Sequence, residues 1–157
     1  MTVTMDQVQR TLGAEEPNYA AAARLGTDAL PHLELLAAGP DAGLAAKAVS
    51  LAALIDHGAS ATRVVTKAAA SQDPVVRVAA AAALSNLRTM PLAVATRLLV
   101  DADVGVRKLT LRSVAAAGAN NAPELAASLR AISTTDPAPD LRRAASALLA
   151  GDTPRAD

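Results

Sequence analysis

Four aspartates, Asp41, Asp73, Asp103 and Asp136, each precede a long run rich in alanine, valine and leucine, at intervals of about 32, 30 and 33 residues. A chain that repeats itself on this scale is confined to stacked copies of one supersecondary unit, because each copy has an apolar face that only a neighbour covers. The register follows the interval. In the Asp73 copy, Val76, Ala80, Ala83, Leu84 and Leu87 share one helical face, and the same offsets in the Asp41 copy give Leu44, Ala48, Leu51, Ala52 and Ile55. The Asp103 copy gives Val106, Leu109, Val114 and Ala117, with Thr110 and Ser113 on or beside that face. The last copy gives Leu141, Ala144, Ala145, Leu148 and Leu149 once two extra residues around Pro139 are allowed.

Second helices are predicted between these first helices, over residues 60–70, 91–100 and 122–132, with Ser60 and Asn121 suited to capping and Pro91 and Pro123 to a first turn. Upstream, residues 4–12 form a short helix stopped by Gly13, which makes residues 1–13 an N-terminal capping segment. Pro17 opens a helix running to Leu25. Thr27 and Asp28 cap the next, which carries Leu30, Leu33, Leu35 and Leu36 and ends at Gly39. The final helix, closing near Gly151, has no second helix after it, and residues 152–157 read as a frayed tail. One domain over residues 1–151 follows. Alanine makes up roughly a quarter of the chain and Tyr19 is its one aromatic residue, so the fold class is all-α, with a core of many small contacts between closely approaching helices.

The stretches Asp73-Pro-Val-Val-Arg77-Val-Ala-Ala, Asp103-Val-Gly-Val-Arg107 and Asp136-Pro, followed by Leu-Arg142-Arg-Ala-Ala, resemble HEAT repeats, in particular the short HEAT-like type also found in phycobilisome lyases. The resemblance covers about residues 15–150 and implies a right-handed α-solenoid of about four and a half helical hairpins. The Asp41 copy departs from the pattern, with Ala45 where arginine is expected. The resemblance also implies a structural ladder built from Asp73, Arg77, Asp103, Arg107, Asp136 and Arg142. In it the acid caps a helix, and the arginine one turn later reaches an acid of its own or the adjacent repeat.

For function, the formal charge is zero but unevenly placed: about −4 over residues 1–60, +5 over 61–118 and −1 thereafter. Arg63 and Lys67 lie one turn apart on one second helix, Arg97 on the next and Arg130 on the one after. In HEAT-like solenoids the second helices line the concave face, so these four residues are the candidate partner-binding strip. Lys108 and Arg112, on a first helix, would face the other side.

The leading reading is a non-enzymatic scaffold or adaptor that binds a protein partner through its second helices. A nucleic-acid-associated module using the same strip is the alternative. HEAT-like DNA glycosylases offer a fold analogy, but a base-stacking site of their kind needs aromatic side chains, and this chain has one Tyr and no Trp or Phe. A bilin lyase role is weaker still, because the shared repeat is scaffold rather than chemistry. With no cysteine, with His32 and His57 as the only histidines, and without a hydrolase elbow, phosphate loop or HExxH motif, no cofactor, metal or catalytic residue is assigned. No apolar run reaches membrane-spanning length and no secretion signal opens the chain, so a cytoplasmic setting is expected. The uncovered flank of the last helix, and an acidic first third set against a basic middle, point to a homodimer as one mode of association.

Overall fold

A computed structural model describes residues 2–56 and 58–151, so the expectations for Met1, His57 and the 152–157 tail lie outside the described residues. Everything regular among those residues is helical. Ten α-helices run α1 Met5–Leu12, α2 Tyr19–Ala22, α3 Leu30–Ala37, α4 Ala42–Ile55, α5 Ala59–Ala69, α6 Pro74–Ala83, α7 Leu92–Leu99, α8 Val104–Ala116, α9 Pro123–Thr135 and α10 Pro139–Leu149. Single 3-10 turns cover Ala23–Leu25, Thr27–Ala29, Leu84–Asn86 and Ala119–Asn121. The fold is all-α, and no described helix is long and apolar enough to cross a membrane.

Local chemistry accounts for most of the helix ends. Thr4 and Gln7 form a reciprocal capping box on α1. Asp41, Asp73 and Asp103 each cap a helix, accepting from the backbone N–H of Leu44 (2.9 Å), Val75 (2.8 Å) and Val106 (3.0 Å). Asp136 does not. It closes α9 in extended backbone, and Ala138 stands at the cap of α10 where Asp73 and Asp103 stand on α6 and α8. The α2 stretch also differs from expectation. Asn18, not Pro17, makes the cap, accepting from Ala21 N–H at 3.0 Å, and four residues later the helix tightens into a 3-10 turn. At the start of α5 the capping carboxylate is Asp56, which accepts from Gly58 N–H (3.0 Å) and Ala61 N–H (3.1 Å); Ser60 makes no cap. Gly118 ends α8 in left-handed backbone, φ 64°.

The helices pack in two rows: α4, α6, α8 and α10 follow one another side by side, and α3, α5, α7 and α9 do the same. One apolar cluster runs through both, from Val8 and Leu12 on α1 to Ala145 and Leu148 on α10. Its large members, among them Leu33, Leu51, Leu84, Leu98, Leu99, Leu125 and Leu129, are fully buried and contribute about 1.5–3 kcal/mol each. Alanines fill the contacts between first helices: Ala48 and Ala52 on α4, Ala80, Ala81 and Ala83 on α6. The buried face of α4 is turned slightly from the expected one, taking in Ala45, Val49 and Ala53 and leaving Leu44 and Ile55 half-buried. On α8, Thr110 and Ser113 are buried, while Ala117 is exposed. Both hydroxyls are satisfied: Thr110 Oγ1 donates to Val106 O at 2.7 Å, and Ser113 Oγ to Ala81 O on α6 at 2.6 Å.

Candidate functional site

One arrangement recurs at the corners where a helix of the second row leads into a helix of the first. At Ser71, Asp101 and Asp136 a side-chain oxygen accepts the backbone N–H two residues on: from Asp73 at 3.2 Å, Asp103 at 2.9 Å and Ala138 at 2.9 Å. Six residues after each corner stands an arginine, and its Nη1 donates back to two corner carbonyls. Arg77 holds Ser71 O and Gln72 O (both 3.0 Å), Arg107 holds Asp101 O (2.9 Å) and Ala102 O (3.1 Å), and Arg142 holds Asp136 O (2.6 Å) and Pro137 O (3.4 Å).

The remaining edge of two of these guanidiniums grips the next corner. Arg77 Nε and Nη2 donate to Asp101 Oδ2 (2.8 Å) and Oδ1 (3.1 Å); Arg107 Nε and Nη2 donate to Asp136 Oδ2 (2.7 Å) and Oδ1 (3.1 Å). Asp136 is thus the counterpart of Asp101, not of Asp103. Asp73 and Asp103 are caps and make no ion pair with a described arginine. At the preceding junction both partners are replaced together, with Ala45 in place of the arginine and Ser71 in place of the carboxylate. Arg142 makes no ion pair with a described carboxylate.

These pairs are well covered, with Arg107 and Asp136 side chains 12% and 3% exposed. Burial works to raise the Asp136 carboxyl. It is outweighed by the Arg107 hydrogen bonds, the Ala138 N–H and the charges of Arg107 and Arg142, which hold the group below its ordinary value. Asp101 is lowered in the same way: burial opposes, while Arg77, the Asp103 N–H and the charges of Arg77 and Arg107 prevail.

The four cations of the second row are all exposed, but they are not equivalent. Arg63 and Lys67 on α5 converge on Glu34 of α3, at 3.3 and 2.6 Å. The Lys67 hydrogen bond, with the Arg63 charge behind it, holds the Glu34 carboxyl below its usual range despite some desolvation. Arg97 on α7 and Arg130 on α9 make no ion pair with a described residue. Lys67 and Arg97 each stand four residues before a corner, whereas that position on α9 is the buried Ile132. Arg130 therefore falls on a different line.

Beside Glu34 an open groove of about 490 Å³ lies between α3 and α5, lined by Thr27, Leu30, Pro31, Glu34, Asp56, Ser60, Arg63 and Val64. Its charges are mixed rather than basic. His32 lies apart from it: Nε2 donates to Val3 O at 3.0 Å and ties the N-terminal segment to α3. Among the described residues no three His, Asp or Glu side chains are grouped to hold a metal ion.

Sequence reasoning missed Asp101 and Glu34. The first was findable, since Asp101 to Arg107 and Asp136 to Arg142 share one spacing, which the capping aspartates concealed. Glu34 and its two cations are joined only by packing of α3 on α5, and no local pattern marks them. Neither the models of known protein families nor the curated proteins contain a match to this chain.

Proposed function

We propose that the chain is a non-enzymatic interaction module, a right-handed HEAT-like α-solenoid of about four and a half hairpins, whose second-row surface binds a protein partner. The two-row packing and the recurring arginine corners support the solenoid reading. The observation that carries the partner class is the pairing of Arg63 and Lys67 with Glu34. The Glu34 carboxylate thereby offsets one of the two positive charges that α5 brings to the candidate basic strip, and what α5, α7 and α9 offer is a mixed-charge groove followed by two isolated arginines. A phosphate backbone rewards a continuous cationic track, whereas a protein surface matches mixed charge.

The test is affinity capture with the wild-type chain, with Arg97→Glu/Arg130→Glu, and with Arg143→Glu on α10 as a surface control. A partner lost only from the double variant is the expected result. A capture profile unchanged by the double variant would remove the second row from the interface. Retention of single- or double-stranded DNA at about 50 mM salt, weakened by Arg97→Glu, would favour the nucleic-acid reading instead.

A further inference from the structure

We infer that the outer flank of α10 is an open junction that accepts a helical hairpin from another protein, one bearing an aspartate at the corner that leads into its packing helix. The corner geometry carries this, independently of the second-row reading above.

At the two arginine-bearing junctions inside the chain, three residues of the first-row helix lie in line at i, i+4 and i+7. They are Arg77 and Ala81 on α6 with Leu84 in the 3-10 turn that continues it, and Arg107, Leu111 and Val114 on α8. The four apolar members are buried at 0–2% exposure, and each arginine is closed by the aspartate of the following corner. The α6 stripe faces α8 directly, as the Ser113 Oγ bond to Ala81 O records.

On α10 the same line reads Arg142, Ser146 and Leu149. Ser146 is exposed, Leu149 is 40% exposed, and Arg142 is already held at Nη1 by the Asp136 and Pro137 carbonyls. Its Nε–Nη2 edge, the one that grips a carboxylate at both closed junctions, has no described acid on it. A donor pair fixed in this way selects a planar carboxylate in bidentate geometry, and the adjoining Leu149 selects an apolar helix beside it. A symmetric contact between two copies of α10 supplies no such acid. The acid on α10, Asp140, stands in the first turn of the helix and not at a corner, and Asp101 and Asp136 are closed within their own chain.

The test uses the full chain and, as probe, a synthetic peptide of residues 123–151, whose Asp136 is an aspartate corner of this kind. Calorimetric binding is expected, weakened about tenfold or more by Asp136→Asn in the peptide, and equally by Arg142→Ala or Leu149→Glu in the chain. Leu149 is a surface position, so its variant keeps the fold if Arg142→Ala does not. No binding up to about 1 mM peptide (a ΔG weaker than about −4 kcal/mol), or binding indifferent to Asp136→Asn and Leu149→Glu, would overturn the proposal. A dimer in sedimentation equilibrium that Leu149→Glu dissociates would assign the flank to a second copy and overturn it as well.

Discussion

The Asp136 carboxylate is almost without solvent and yet held charged by Arg107, so its removal leaves a buried guanidinium edge with nothing to hold. Asp136→Ala is expected to cost about 3 kcal/mol in urea unfolding, against under 1 kcal/mol for Asp6→Ala, whose Arg10 pair is solvated on both sides. Acid should act through the same groups. Both Asp101 and Asp136 sit below the ordinary carboxylate value of about 3.9, so on acidification the unfolded chain takes up protons first. Their contribution is complete above the unfolded value and is lost as pH falls through the lower folded ones. Urea midpoints measured from about pH 6 down to pH 3 should therefore fall for the wild type and flatten in Asp101→Asn/Asp136→Asn. Gly118→Ala tests backbone alone: a Cβ there meets nothing within 4 Å, so the expected loss of about 1 kcal/mol comes from the left-handed φ.

Among the elements, α6 was the most legible because an aspartate cap, a proline at the first turn and an apolar stripe agree on the same start and face at Asp73–Pro74–Val76, while α4 and α8 carry the cap and the stripe without the proline. Agreement failed where one signal stood alone. Pro17 marked a helix that begins only at Tyr19, and Asp136 looked like a cap because its carboxylate precedes a helix, although its partner is an arginine on another one. Side chains joined across elements, such as Glu34 with Arg63 and Lys67, leave no periodic trace. That cluster makes its own prediction. Glu34→Gln releases two cations onto the α5 surface, so the variant should elute from a phosphate matrix at higher salt than the wild type, while Asp140→Asn, which frees a single arginine on α10, should move elution less.

Across the whole molecule the all-α class could be read from alanine content and spacing, and the outer helices α1 and α10 from the glycines that follow them. Interior helices are buried from two sides and α1 and α10 from one, so native-state hydrogen exchange should show protection highest in α6 and α8 and falling toward both ends. Leu98→Ala, at a fully buried site on α7, is expected to cost about 2–5 kcal/mol and to lower protection in α8 and α9 as well. The exchange of arginine and carboxylate for Ala45 and Ser71 also has a mechanical meaning. Directional clasps resist shear, whereas apolar faces resist separation but tolerate sliding. Stretched between its ends, the chain should yield as a graded spring, compliant at the α4–α6 joint and stiff across the two clasped joints that follow it.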